Sequence, residues 1–382
     1  MTEPSEQPHA TPRKQETKSP GYQPRQLVLL GGGMANLQVL RALAAKPLPE
    51  MRVILLAPYP RTIYPGMLPG LVTGRFDADQ CAIALEPLVR RAGIRWLPRS
   101  ATALEAEKRS IELDDGSLQH YDWLSINTGP VQNRAQMEYL IPGAGEFGLF
   151  AHPLESFAEL WPRVCDMAAR QARRIAIIGD TVSAMELALA VRQRLPQSAV
   201  TLLAKPAQGN ESGLDLENPA NLLEAKLLVA LKAQGITVLP DVAQSIRADA
   251  VHLGCGADLA CDIPLIALET QSPVWLEDSG LAMDACGQVE TDAFQRSTSH
   301  REVFAAKDNG ASLAHNLAAA AGGRHMYAAP DQDKSLQFLF SGRNEALARW
   351  GKVHATGWPA AWLKDWYDRR QLASFQPDST GA

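Results

Sequence analysis

The run LVLLGGGMANLQVLRAL, Leu27 to Leu43, narrows the choice of folds more than any other stretch of the chain. An apolar strand runs into three consecutive glycines and then into an amphipathic helix. So tight a turn needs glycine where a side chain would clash. The helix after it presents free backbone N–H groups and the positive end of its dipole to an anion such as a pyrophosphate. Gly31 and Gly33 fill the first two places of the G-x-G-x-x-G dinucleotide fingerprint. Asn36 stands at the third place, so the fingerprint is incomplete. On this segment alone, a glycine-rich turn of some other α/β protein is an equally good reading.

A chain of 382 residues is long enough for two domains with separate cores. Its net charge of −5 gives no electrostatic reason to expect nucleic acid, and its 46% hydrophobic content is that of an ordinary globular protein. The cysteines, Cys81, Cys165, Cys255, Cys261 and Cys286, form no C-x-x-C or C-x(4)-C pair near the first helix. A dithiol relay is therefore not expected, and the thiols read as those of a reducing cytoplasm. The histidines show no H-E-x-x-H or other metal spacing and belong to no Ser-His-Asp set, so His315 and His325 read as surface or packing residues. No metal is expected, and no residue declares itself catalytic.

Residues 1–26 are rich in Pro, Glu, Gln, Lys and Thr and read as a disordered tail without the apolar core of a secretory signal. No later stretch has the length of a transmembrane helix. A second strand over Met51 to Pro58 ends on Ala57 and Pro58, where an acidic residue would be expected to meet a ribose. YPGMLPGLVTG, Tyr64 to Gly74, reads as an ordered loop because its prolines and glycines oppose a helix. Short strands joined by an Asp115–Gly116 hairpin turn follow, closing on Thr128–Gly129. From Arg173 the pattern restarts: RRIAIIGDTVSAMELALAVRQRL gives a strand, a turn at Gly179 and a helix, and AVTLLAK gives the next strand. Val289 to Gly310 returns to a strand that fits only the first unit, so the second unit is an insertion.

With these pieces in order, the chain resembles the pyridine-nucleotide-dependent flavoprotein family that includes type II NADH:quinone oxidoreductases. The branch it resembles most is the one often fused to selenide, water dikinase. The resemblance rests on GGGMANLQVLRAL, YPGMLPGLVTG, NTGP, IAIIGDTVSAMELALA, VFAAKDNGASLAHNL and LKDWYDRR. It implies an α/β fold of two nested Rossmann-like dinucleotide-binding domains, with a C-terminal helical or irregular segment. On this division the tail is 1–26, the FAD domain is 27–150 with 271–329, the inserted NAD(P) domain is 151–270, and the C-terminal segment is 330–382. The implied chemistry is hydride transfer from NAD(P)H to FAD and electron delivery to a quinone or other small acceptor.

Carried over residue by residue, Gly31 and Gly33 face the FAD pyrophosphate, Asn36 holds the third glycine's place, and Thr128–Gly129 passes close to the same cofactor. Asp308 matches an aspartate that accepts from the ribityl chain. Lys307 replaces the glycine before it, either pointing to solvent, the preferred reading, or contacting phosphate, or blocking FAD. In the second domain Gly179 and Glu186 match G-x-G-x-x-G-x-E, while Thr181 and Ala184 replace its other glycines. Ala184 suits helix packing, but Thr181 obstructs a pyrophosphate. Lys205 stands where an acid would select NAD and suits a 2′-phosphate, and Glu269–Thr270 replaces a T-G pair. Tyr64, Gly66 and Met67 belong to the loop expected over the flavin and acceptor, with core packing of a rigid loop as the other reading.

The helix WPAAWLKDWYDRR sets Trp358, Trp362 and Trp366 on one face, with Lys364, Asp368 and Gln371 opposite. The tryptophans can rest in a lipid headgroup layer, dock on the protein's own core, or meet a second subunit, as in a homodimer. The expected protein is thus a cytoplasmic NAD(P)H oxidoreductase, peripheral on the inner face of a membrane if the helix meets lipid. The altered motifs keep open a non-catalytic scaffold, or an enzyme of the same fold acting on an unrelated substrate.

Overall fold

The computed structural model describes residues 24–48, 50–129, 132–206, 222–268, 272–284, 287–306, 310–330, 336–351 and 353–376. At its centre is a parallel sheet of five strands, ordered Val303–Ala305, Trp123–Ile126, Arg25–Leu30, Met51–Leu56, Arg95–Leu97. Parallel strands need crossovers, which cover both faces and select unbroken apolar runs. In the central strand Leu27 and Leu29 pack on the helices Met34–Ala45, Leu85–Ala92 and Gly310–Ala321. Val28 and Leu30 point the other way, onto an antiparallel meander of Ala101–Glu105, Ser110–Leu113 and Leu118–His120. Gly116 takes φ +78° in the hairpin turn of that meander.

The same design recurs. A second parallel sheet runs Leu149–Phe150, Ile263–Ile266, Arg174–Ile178, Ala199–Ala204, Thr237–Pro240. Ile175 and Ile177 face the helices, Ala176 and Ile178 face a second meander of Ala243–Ile246, Ala250–Leu253 and Asp258–Ala260. Each unit therefore presents a strand–turn–helix at the carboxyl edge of its sheet, where ligands of open α/β folds bind.

Two segments depart from the sequence expectation. Tyr64 to Gly74 is not a loop throughout, since Pro65–Met67 makes one 3-10 turn and Leu68–Val72 a short helix. Pro65 and Pro69 each occupy one of the first two positions of its helix, where no intrahelical N–H bond is required. The C-terminal segment is not irregular before its helix. It forms an antiparallel sheet of Leu336–Gly342, Glu345–Trp350 and Val353–Gly357, turned at Asn344 with φ +58°, and then the helix Trp358–Ala373. Among the described residues no helix is long and apolar enough to cross a membrane.

Candidate functional site

In the first turn, Gly31 N–H donates to the Leu56 carbonyl at 2.7 Å, and Gly31 has φ +97°. A Cβ there would lie 2.2 Å from the Asn127 carbonyl oxygen, and one on Gly33 would lie 2.2 Å from Asn127 Oδ1. Close passage of the strand Trp123–Ile126 and of the residue after it thus dictates both glycines. Asn36 is fully buried. Its Nδ2 donates to the carbonyls of Leu30 (3.2 Å) and Gly31 (2.9 Å), and its Oδ1 accepts from Ser125 Oγ at 2.7 Å. Helix and strand, which a third glycine would let pack bare, are fastened here by a buried amide.

Asn127 is a residue the sequence reading passed over, although it directly precedes Thr128–Gly129. Its Oδ1 accepts from the amides of Ala35 (3.0 Å) and Asn36 (3.2 Å), its Nδ2 donates to the Ala306 carbonyl (2.7 Å), and its own carbonyl accepts from Gly33 (3.0 Å). Among the described residues, the amides of Gly32 and Met34 keep no protein acceptor. Gly129, at φ +76°, has nothing within 4 Å of an added Cβ, so the chain leaves open space there. Two amides at the positive end of a helix, beside an open glycine, suit a dinucleotide pyrophosphate. Lys307 and Asp308 lie outside the described residues.

The second turn is built alike and filled differently. Gly179 N–H donates to Leu203 O at 2.9 Å, and a Cβ on Gly179 would lie 2.3 Å from the Ala267 carbonyl oxygen. Ala267 thus corresponds to Asn127 but has no polar side chain. Thr181 itself caps the helix Val182–Arg194, its hydroxyl accepting from the Ala184 amide at 3.3 Å. Asp180 places a negative charge at the same turn. Beside it lies a cavity of about 130 Å³, bordered by Leu68, His152, Thr181, Ser183 and Leu268. Burial pushes the His152 imidazole down to about 4, so it is neutral at physiological pH. Lys205 is exposed at the end of its strand, and Glu269–Thr270 lies outside the described residues. Glu186 does not border this cavity and is engaged by the C-terminal sheet. Its Oε1 accepts from Phe340 N of the C-terminal sheet at 2.5 Å, and burial raises its carboxyl to about 7.

The YPGMLPG segment meets the terminal helix. Met67 is buried in the first core beside Cys81, whose thiol burial pushes up to about 12 and so keeps it from acting as a thiolate. Lys364 Nζ donates to the Gly66 carbonyl and to Asp368 Oδ2, the latter at 2.5 Å, and Asp368 is also hydrogen-bonded by Tyr64. Burial raises the Asp368 carboxyl, opposed by Lys364 beside it. Asp365 pairs with Arg75, and Arg369 lies over the Phe76 ring. The helix therefore seats its charged stripe inward: Lys364 and Asp368 are 8% and 5% exposed, against 73%, 64% and 47% for Trp358, Trp362 and Trp366. Docking of the tryptophans on the protein's own core is overturned, because the inward face is specified by the i, i+4 pair of Lys364 and Asp368 and its partners in the 64–67 turn. Among the described residues, no group of three or more His, Cys, Asp or Glu side chains is placed to hold a metal.

Residues 25–322 match the family described as pyridine nucleotide-disulphide oxidoreductase, and the chain belongs to it. This is a family of FAD-dependent NAD(P)H oxidoreductases. A relative from Arabidopsis thaliana, the alternative NAD(P)H-ubiquinone oxidoreductase C1, chloroplastic/mitochondrial, is 23% identical over 318 residues, which are 74% of this chain and 60% of that protein. The chain thus spans about 60% of that relative's length. Among solved structures, the sulfide:quinone oxidoreductase of Aquifex aeolicus superposes with a TM-score of 0.70 at 15% identity, covering 92% of this chain and 91% of that one. NDH2 of Plasmodium falciparum in complex with NADH gives 0.68 at 11% identity, covering 92% and 97%. At these identities the likeness establishes the two-unit fold.

Proposed function

We propose that the protein is a FAD-dependent oxidoreductase that takes electrons from NAD(P)H through a weakened second site and passes them to a quinone or another small acceptor. The observation that carries this reading is the first turn, whose Gly32 and Met34 amides stand free at a helix N-terminus beside open space at Gly129. When bound, the flavin supplies the redox chemistry, accepting a hydride and releasing two electrons. The chain supplies the rest. The Gly32 and Met34 amides hold the pyrophosphate, and Asp308 accepts from the flavin's polyol chain in the matching motif. Neutral His152 and the apolar wall of Leu68 and Leu268 favour an uncharged ring in the inter-unit cavity. Lys364 and Asp368 fix the Tyr64–Met67 turn that faces them.

We assign residues 27–150 with 271–329 to the flavin domain, 151–270 to the nicotinamide-like domain and 330–382 to the segment carrying the exposed tryptophan face. That face, with Arg370 over Trp366, has the amphipathic character of an interfacial helix, and we place the protein peripherally on the inner face of a membrane. The test of the cofactor is native purification followed by denaturing release of bound ligands, with FAD as the expected product. A colourless preparation that also fails to take up added FAD overturns the reading. It would favour the second one, a non-catalytic or repurposed member, for which Asp180 and Thr181 at the second turn speak. Co-sedimentation with anionic vesicles, lost when Trp358, Trp362 and Trp366 are changed to Ser, tests the membrane placement, and a homodimer through the same face is the competing outcome.

A further inference from the structure

The geometry points to Asn127 as an internal occupant of the inner part of the pyrophosphate site, beside the free Gly32 and Met34 amides: a neutral stand-in that caps the first helix when no dinucleotide is present and yields the Ala35 and Asn36 amides to the phosphates when one binds. This rests on the flavin reading above. A helix N-terminus has donors without intrahelical partners, and they are satisfied by a side chain, by water or by a ligand. In the first unit the cap is not supplied by the helix's own N-terminal residue, since Gly33 has no side chain. It comes instead from across the sheet, with Asn127 Oδ1 between the Ala35 and Asn36 amides at 3.0 and 3.2 Å. One oxygen accepting from two successive amides is the arrangement a phosphate oxygen adopts at such a turn.

The second unit shows that the fold does not demand this arrangement. There the equivalent residue is Ala267, the close backbone approach to Gly179 is kept, and the cap is the local hydroxyl of Thr181. The side chain of Asn127 is thus dispensable to the packing of strand on turn, and its service is to the amides. It is also adjustable. Asn127 is only half-buried, and among the described residues its side chain makes one further bond, from Nδ2 to the Ala306 carbonyl, which leads to the segment that continues into the Lys307–Asp308 motif. Binding of the dinucleotide then replaces one acceptor by a stronger, charged one, and the apparent affinity is lowered by the work of displacing the first. Neutrality is essential, because a carboxylate at this place would be held by the helix dipole and would repel the incoming phosphates.

Two variants separate this role from a structural one. Asn127→Ala removes the occupant, and it is expected to lower the melting temperature of the flavin-free protein while binding FAD about fivefold more tightly than wild type, the equivalent of one capping interaction. Asn127→Asp leaves a charged occupant and is expected to weaken FAD binding on the order of tenfold or more relative to Asn127→Ala, whatever it does to the melting temperature. FAD titration followed by flavin fluorescence, with thermal melts of the same flavin-free samples, reads both. If FAD affinity falls in step with melting temperature in Asn127→Ala, or if Asn127→Asp binds as tightly as Asn127→Ala, the stand-in role is wrong and Asn127 is only a structural cap. A wild type that takes up no FAD defeats the flavin reading itself, which is a separate outcome.

Discussion

The two strand–turn–helix units of this chain share a backbone plan and differ in what occupies the turn. In both, the first glycine amide is bonded to the neighbouring strand, and its missing side chain makes room for the strand that returns beside it: Gly31 against Asn127 and Gly179 against Ala267. The glycines are therefore required by the protein's own packing, whatever is bound. The difference lies in charge and in capping. The first turn is neutral and capped from a distance by Asn127; among the described residues both turns keep backbone amides without a protein acceptor, Gly32 and Met34 in the first and Asp180, Thr181, Val182 and Ser183 in the second. The second carries Asp180 and a local cap, Thr181, which takes the Ala184 amide. Conserving the architecture of a dinucleotide unit and conserving the charge and capping of its turn are separate matters, and the two units share the first and differ in the second.

The largest expected effect breaks or upholds the shared plan. Gly31→Ala and Gly179→Ala both force a Cβ to within 2.3 Å of backbone oxygen. Each should cost about 3 kcal/mol or more in chemical denaturation. Only Gly31→Ala should also release FAD. A Gly179→Ala protein of wild-type stability would remove the equivalence of the turns. Next in size is restoration of the missing fingerprint glycines. Asn36→Gly should destabilise by about 2–3 kcal/mol, because it strips the partners from Ser125 and from two carbonyls in a buried place. Ala184→Gly should cost only about 1 kcal/mol, the helix propensity difference. Equal losses would mean that Asn36 is as passive as Ala184.

Glu186 offers a smaller, pH-dependent contrast, since it is the motif carboxylate that serves the C-terminal sheet. Its carboxyl is raised from 4.5 to about 7, chiefly by burial. A raised carboxyl favours the fold fully below the unfolded value, and that contribution is lost as pH rises through about 7. Glu186→Gln keeps an acceptor for Phe340 N without the charge. It should therefore stabilise by on the order of 1–2 kcal/mol at pH 8 and make little difference at pH 4, as read by melting temperature across that range. A pH-independent difference would show that the carboxyl titrates normally. Smallest is the double change Thr181→Gly with Ala184→Gly, which should lower stability by about 1 kcal/mol while strengthening NADPH binding more than NADH, owing to Lys205. No gain for either nucleotide would place the obstruction at Asp180.

Much of this plan was legible in the residues. Apolar runs such as LVLL and RIAII, each followed by a glycine turn, are buried parallel strands because both faces are covered, and that pattern leaves little else to fold into. The restart at Arg173 identified the second unit for the same reason. What sequence could not convey was the direction in which polar side chains are spent. Asn36 looked like a defect in a fingerprint and is a fully buried fastening, because its partners, Leu30, Gly31 and Ser125, are assembled only when the strands pair. Asn127 is visible in the sequence only as the first residue of NTGP, because its acceptor role depends on a helix some 90 residues away. The terminal helix is ambiguous for a simpler reason: three tryptophans on one face fit lipid, a second subunit or the protein's own core, and only the partners of Lys364 and Asp368 in the Tyr64–Met67 turn set the rotation that excludes the last.

The claim that the first turn retains an anion site and the second has lost most of its own is tested most directly by titrating one flavin-free sample with FAD and another with NADPH in the same buffer. The account predicts FAD binding at least about a hundredfold tighter than NADPH, a difference of some 2.7 kcal/mol. NADPH binding as tight as FAD, or tighter, would contradict it.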